Sequence, residues 1–238
     1  MKTKLKVEIW SDIMCPFCYI GKRRFEKALA QFEHKNDIEV EWKSFQLNPE
    51  LVTNPDTNIH DYLSKTKGWT LDYAKQANAY VTQMALEEGL HYDLDRAIVA
   101  NSFDAHRLIQ LAKSQGKGGE MEERLFKAYF TQGKNIADHE TLVELGSAIL
   151  PEPQLIREML QTNKYAESVD KDIYESQQIG VQGVPFFVFN DRYAVSGAQP
   201  VETFLGALNK SWEEWNQAAG VTLLSQDGQS CEPGGDCH

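Results

Sequence analysis

Cys15-Pro16-Phe17-Cys18 constrains this chain more than any other stretch, because it falls where a short alternating strand, Leu5 to Trp10, gives way to an amphipathic helical pattern from about Pro16 to Gln31. Two thiols at i and i+3 of a helix start occupy neighbouring positions, so they can close into a disulfide and reopen. The helix N-terminus presents unpaired N–H groups and the positive end of the macrodipole, which favours a thiolate at Cys15. Cys15 is therefore the expected nucleophile, and Cys18, one turn further in, the expected resolving thiol. Pro16 suits the first helical turn, where its missing N–H costs nothing. Half of a zinc site and two unrelated core cysteines are the competing readings. A Cys-x-x-Cys that follows a strand and opens a helix, with no compact second Cys/His pair nearby, disfavours both.

The chain has 238 residues, enough for one large domain or two modest ones. A hydrophobic share of 42%, a charged share of 25% and 11% aromatic residues are those of a globular protein rather than a disordered one. The net charge of −11 opposes binding to nucleic acid or an anionic membrane, so neither is an expected partner. Lys22, Arg23 and Arg24 lie among Phe25, Leu29 and Phe32 at helical spacing and read as the solvated face of a helix, not a basic patch. Met1 to Lys6 runs into an alternating strand without an apolar signal-like segment, and no stretch offers the roughly twenty apolar residues of a membrane span. The expected location is the cytoplasm, where four cysteines are better explained by catalysis or redox sensing than by stapling.

Leu5, Val7 and Ile9 alternate with Lys4, Lys6 and Glu8; Ile38, Val40 and Trp42 alternate with Glu39, Glu41 and Lys43. Strand, helix and strand predict a βαβ unit with parallel strands and a right-handed crossover. Asn48 to Asn58 reads as a long loop, after which the period is helical to about Leu160. The predicted helices are Thr70 to Glu88 with Thr70 as N-cap, Asp95 to Gln115, Met121 to Thr131, and Asp138 to Leu150. A further helix, about Asn163 to Ile179, leads back to a hairpin made of Phe186 to Phe189, a turn at Asn190-Asp191-Arg192, and Tyr193 to Ser196. Pro200 to Gln217 supplies a closing helix. An all-α block cannot belong to the sheet, so the expected fold class is α/β, a thioredoxin-like order with an inserted all-α helical domain. The expected division is 1–47 with 162–217 as the thioredoxin-like domain, 48–161 as the insertion, and 218–238 as a flexible tail.

Trp10-Ser11-Asp12, Cys15 to Gly21, Asn101-Ser102-Phe103-Asp104-Ala105-His106-Arg107, Gly180 to Phe187 and Ser196 to Gln199 together resemble the DsbA-like thioredoxin superfamily, and within it the FrnE-type protein disulfide oxidoreductases, over the chain to about Gln217. The resemblance implies thiol–disulfide exchange at Cys15 and Cys18 and a cis bond at Val184-Pro185 facing them. It also implies that Val184 and Pro185 bind an extended substrate segment as an added strand. From the residues alone, a trans proline beginning an edge strand is an equal alternative. The chain departs from the strongly oxidising members at Phe17, where they carry a histidine that supports the thiolate; a more reducing couple is expected here.

Other candidates are weaker. Gly116-Lys117-Gly118-Gly119 lacks the ending of a phosphate loop and reads as a helix–helix connection. His106 reads as a packed or interdomain residue, with metal binding as the alternative. Phe17, Tyr19 and Trp10 read as core residues or as an apolar rim for unfolded substrates. Cys231 and Cys237, folded toward each other by the turn signal Pro233-Gly234, admit three readings: a second redox pair exchanging with Cys15 and Cys18, a passive local disulfide, or a zinc clip with His238. The first is favoured, and no metal is expected.

The resulting functional expectation is an enzyme catalysing thiol–disulfide exchange in protein substrates. It needs no cofactor beyond its own redox-active disulfide, with glutathione or thioredoxin as the cellular reductant. The alternative is a glutathione-dependent isomerase or transferase of the 2-hydroxychromene-2-carboxylate isomerase or kappa type acting on a small aromatic substrate. Those enzymes typically place serine at the first active-site position, which argues against it. A non-enzymatic holdase is the third reading.

Overall fold

The computed structural model describes residues 4–219, with side chains to Gln217. Cys231 and Cys237 lie outside the described residues. Strand β1 (Leu5–Ser11) leads into helix α1 (Pro16–Gln31), and β2 (Ile38–Ser44) returns parallel to β1 with Leu5 opposite Ile38 and Ile9 opposite Trp42. Helices α2 (Ile59–Lys67), α3 (Leu71–Glu87), α4 (Phe103–Lys113), α5 (Gly118–Phe130), α6 (His139–Ser147) and α7 (Pro153–Gln161) follow before α8 (Ala166–Gln178). Strands β3 (Phe186–Phe189) and β4 (Tyr193–Ser196) and helix α9 (Val201–Ala219) close the chain. The sheet order is β2-β1-β3-β4, with β3 antiparallel to both of its neighbours. This is the thioredoxin-type arrangement expected from the sequence. The hairpin turn holds Asn190 and Asp191 at φ 51° and 55°, the left-handed region these two residue types tolerate best after glycine.

Two apolar cores divide the molecule. Leu5, Val7 and Ile9 of β1 and Phe187 and Phe189 of β3 pack with Phe25 and Ala28 of α1 and Phe204 and Leu208 of α9. Phe25 sits 5.6 Å from Phe187 and 5.9 Å from Phe204, ring centre to ring centre. The second core joins the helices, with Leu108, Leu125, Phe126, Met159 and their neighbours, and it includes Ile13, Cys15, Cys18, Tyr19 and Ile20. Helix α1 thus packs its middle on the sheet and its first turns on the helices, which puts the cysteine pair at the seam.

One helix expectation needs correction. The span Asp95 to Gln115 is not continuous: a 3₁₀ turn at Leu94–Arg96 is followed by extended chain, with Ile98 bridged to Asn58, and α4 begins only at Phe103. Asn101 explains the break. Its Oδ1 accepts the Phe103 N–H at 2.9 Å, its own N–H donates to Thr53 Oγ1 at 2.9 Å, and its Nδ2 donates to the Pro49 and Leu51 carbonyls. Side-chain bonds of this kind compete with helix continuation. The helical stretch also holds α2 and α7, whose bounds its periodicity does not mark. Each spans 9 residues, α2 with Asn58 as N-cap and Gly68 ending it at φ 68°, α7 with Pro153 opening it.

Candidate active site

Past Ser11 the chain turns tightly: the Met14 N–H donates to Asp12 Oδ1 at 3.2 Å and the Cys15 N–H to the Asp12 carbonyl at 2.9 Å. Cys15 is the N-cap of α1, extended at φ −88° and ψ 111°, and Pro16 stands at the first helical position. The Cys18 N–H donates to the Cys15 carbonyl at 3.0 Å. Both cysteines are free thiols. The Cys15 Sγ donates to the Val184 carbonyl at 3.4 Å, a contact between residues 169 apart in the chain. Pro185, joined to Val184 by a cis peptide bond, accepts the Gly197 N–H at 2.8 Å, which ties the loop to the end of β4. The structure therefore brings Cys15, Cys18, Val184 and Pro185 to one place.

Cys18 is sealed, at 1% exposure. Burial pushes its thiol well up, and the neighbouring Cys15 adds to this, while the Asp12 backbone and the Ser11 hydroxyl act in the opposite sense. Tyr19 of the next turn stacks on Phe126 at 4.9 Å, and the Tyr92 hydroxyl donates to the Pro16 carbonyl at 2.8 Å. These contacts fasten the first turn of α1 to α5 and to the chain before α4.

A cavity of about 880 Å³ opens beside Cys15, walled chiefly by α2 and α3. Its lining is apolar and aromatic, with Phe17, Tyr62, Trp69, Tyr73, Tyr80 and Phe130 contributing rings and Lys67 the charge. Phe17, Leu47, Tyr73 and Tyr80 remain exposed at its edge. Trp10 and Tyr19, the other aromatic candidates, are buried, so of the three only Phe17 belongs to the rim.

Beneath the cysteines lies a polar cluster that sequence reasoning did not assemble. Ser11, Asp12, His106 and Glu122 are each 1% exposed. The Ser11 hydroxyl donates to Glu122 Oε1 at 2.8 Å, Asp12 Oδ2 accepts the Leu47 N–H at 2.8 Å, and His106 Nε2 stands 3.5 Å from Asp12 Oδ1. Burial drives the Glu122 carboxyl up to about 7, and Asp12 adds to it, while His106, Ser11 and Lys22 hold it back. Burial opposes charge on His106, but Asp12, Glu122 and Asp172 outweigh it and raise its pKa. Asp104 is not part of this cluster: it pairs with Arg107 at 2.7 Å and His139 at 3.0 Å. Ser11, Asp12 and His106 fell inside the motifs quoted for the family resemblance, whereas Glu122 carried no local signal. Among the described residues, no group of three or more His, Cys, Asp or Glu side chains is placed to hold a metal ion, and no helix is long and apolar enough to cross a membrane.

The sequence profile of the DSBA-like thioredoxin domain matches residues 6–209. The chain is similar to the uncharacterized protein YwbO of Bacillus subtilis (strain 168), 28% identical over 207 residues that span 85% of this chain and 95% of that one. It superposes on the crystal structure of a probable DsbA oxidoreductase, SCO1869 from Streptomyces coelicolor, with TM-score 0.83, 36% identity and 98% of each chain covered. A 2-hydroxychromene-2-carboxylate isomerase shares the fold at TM-score 0.64 and 14% identity, over 90% of this chain and all (100%) of that one. The cytosolic disulfide reductase DsbM from Pseudomonas aeruginosa shares it at TM-score 0.59 and 17% identity, over 90% and 98%.

Proposed function

The chain belongs to the DSBA-like thioredoxin domain family, and we propose that within it this protein is a cytoplasmic thiol–disulfide oxidoreductase of the FrnE type, acting on protein substrates through Cys15 and Cys18. The observation that carries this reading is the asymmetry of the pair. Both are buried, but Cys15, 4% exposed, lies at a helix start against the Val184 carbonyl and lines the apolar cavity, while Cys18, 1% exposed, sits one turn behind it and does not line the cavity.

In the reducing direction, the Cys15 thiolate attacks one sulfur of a substrate disulfide. A Cys15–substrate disulfide forms and the other substrate sulfur leaves as a thiolate. Cys18, having lost its proton, then attacks Cys15 Sγ; the Cys15–Cys18 bond forms and the remaining substrate sulfur departs as a thiolate. The substrate gains two electrons and the protein is left oxidised, to be returned by a dithiol such as thioredoxin or by two molecules of glutathione. Run backwards, the same steps oxidise a substrate dithiol. The Val184 backbone aligns an extended substrate strand beside Cys15, and the cavity takes apolar side chains flanking the substrate cysteine. Phe17 supplies no positive charge to the pair, which favours reduction or isomerisation over dedicated oxidation.

Insulin reduction tests the reading. Cys15→Ser abolishes turnover, and Cys18→Ser accumulates a covalent protein–substrate adduct released by dithiothreitol. Turnover that survives Cys15→Ser overturns it. The size and aromatic lining of the cavity favour one second reading, a glutathione-dependent isomerase of a small aromatic molecule. That chemistry does not use Cys18, so isomerase activity retained by Cys18→Ser would select it.

A further inference from the structure

We propose that the Val184 carbonyl is an acceptor shared between the Cys15 thiol and the substrate backbone, so that an extended substrate strand pairs fully with Val184 only once Cys15 has lost its thiol proton. This rests on the exchange reading above and adds to it a coupling between the redox state of the pair and the hold on the substrate.

The coupling follows from where the polar groups of Val184 go. In an antiparallel pair, two opposed residues exchange both of their N–H···O=C bonds, and Val184 has one N–H and one carbonyl to give. Among the described residues no hydrogen bond engages its N–H, while its carbonyl accepts from Cys15 Sγ at 3.4 Å. Pro185 cannot stand in, because it has no N–H and its carbonyl already accepts the Gly197 N–H at 2.8 Å. Val184 is half-buried and, like Cys15, lines the apolar cavity, which gives an entering chain access to it.

In the reduced protein a strand therefore finds the N–H open and the carbonyl occupied. The carbonyl has a second lone pair, but the strand approaches from the Cys15 side, since its own sulfur has to reach Cys15 Sγ, and it meets the S–H there. Exchange changes this. Cys15 and Cys18 lose two electrons and two protons as their disulfide forms, and the substrate disulfide takes up both to become two thiols. Cys15 then carries no proton, and the Val184 carbonyl is free for a substrate N–H. One backbone hydrogen bond replaces a contact with a weak S–H donor, which corresponds to about threefold to tenfold in affinity. By reciprocity, a strand that binds the disulfide form more tightly stabilises that form. A bound backbone thus favours passage of electrons from the cysteine pair to the substrate, and reduction of the pair by a dithiol restores the S–H and weakens the hold.

The probe is a fluorescein-labelled octapeptide of alternating valine and threonine, with serine in place of the reacting cysteine so that no covalent bond forms. Fluorescence anisotropy gives its Kd for the oxidised and the reduced full-length protein at pH 5.5, below the ordinary range of thiol ionisation. Cys231→Ser and Cys237→Ser are present in every protein compared, so that only Cys15 and Cys18 change state. The oxidised form binds about threefold to tenfold more tightly than the reduced one. Cys15→Ala, which removes the S–H without making a disulfide, binds under reducing conditions as the oxidised parent does. A scan of singly N-methylated peptides finds one position at which the difference between the two forms disappears, which a general change of conformation would not produce. Saturating peptide also lowers the reduction potential of the Cys15–Cys18 couple, by about 30 mV for a tenfold ratio of affinities. Equal affinity of the two forms overturns the proposal, as does a ratio kept by every N-methylated peptide or the absence of binding to both forms. If Cys15→Ala does not fold, the N-methyl scan on the parent decides by the same criteria. Insulin reduction measured alongside keeps the two readings apart: turnover that survives Cys15→Ser overturns the exchange reading whatever the peptide does.

Discussion

Glu122 is a costly residue for the fold. Its folded pKa stands at about 7 against an ordinary 4.5. A carboxyl raised in this way contributes fully below its unfolded value and progressively less as pH climbs to its folded one. A shift of about 2.5 units corresponds to roughly 3 kcal/mol in the limit, developed between pH 4.5 and 7. Glutamine keeps the shape and can still accept from Ser11. In urea unfolding, Glu122→Gln should therefore gain stability relative to wild type on going from pH 5 to pH 8, by an amount approaching that limit. A gap between the two proteins that does not change with pH would contradict the raised carboxyl. The contrast with the cysteines shows what a sequence can reveal at this scale. Cys15 and Cys18 announce themselves because their partners are three residues away and the helix start between them is written in Pro16. Glu122 meets Ser11 across 111 residues, and nothing in its own surroundings, Gly119 to Arg124, distinguishes it from a solvated helix acid. The burial of His106 agrees with a packed residue, but its place beside Asp12 depends on how α4 docks.

Helix α1 is the element on which the site depends, and Gly21 sets how closely it approaches the Val184–Pro185 loop. A Cβ on Gly21 would lie 2.9 Å from Pro185 Cγ and 3.5 Å from Ala198, closer to the proline ring than real contacts allow. Gly21→Ala must push α1 away from the loop, at an overpacking cost of about 1–3 kcal/mol, of which the better helix propensity of alanine returns up to about 1. The expected result is a lower urea midpoint together with insulin reduction slowed several-fold, since the Cys15-to-Val184 spacing widens. Gly206→Ala on α9 is the control, because a Cβ there meets nothing within 4 Å; it should leave reduction unchanged and stability equal or higher. Should the two variants behave alike, close approach at Gly21 is not what sets the site. At this scale the strands, the hairpin and the ends of α1 were legible from alternation, Pro16 and the Asn190-Asp191 turn. The start of α4 was not. Ala97, Val99 and Ala100 are apolar at spacings a helix could use, but they are buried in an extended segment pinned through Asn101, and that pinning involves Pro49, Leu51 and Thr53 from a distant loop.

Across the whole molecule, the helices between β2 and α8 are joined to the sheet and to α1 by paired carboxylates. Glu41 of β2 meets Lys113 of α4 at 3.0 Å and Lys6 of β1 at 2.6 Å. Glu123 of α5 meets Lys22 of α1 at 2.7 Å and is bridged by Arg23. Burial opposes charge on both acids, but these cations outweigh it and hold each at about 2. A depressed carboxyl contributes its full stabilisation above the ordinary value near 4.5 and loses it as pH falls toward 2. The Glu41 and Glu123 side chains are 28% and 32% exposed, so solvent screening leaves roughly 1–2 kcal/mol for each. Glu122 slopes the opposite way between 4.5 and 7, which puts the best combined contribution of these three acids on the acid side of neutrality. Glu41→Gln with Glu123→Gln should lower stability at pH 6 by about 2–4 kcal/mol and flatten the fall between pH 4.5 and pH 2. The two acids share no ion-pair partner among the described residues, so their effects should add. Urea unfolding of the double variant and each single variant at pH 6, 4 and 3 checks this. An acid limb that keeps its wild-type slope in the double variant would show that these seam pairs do not govern acid unfolding of the protein.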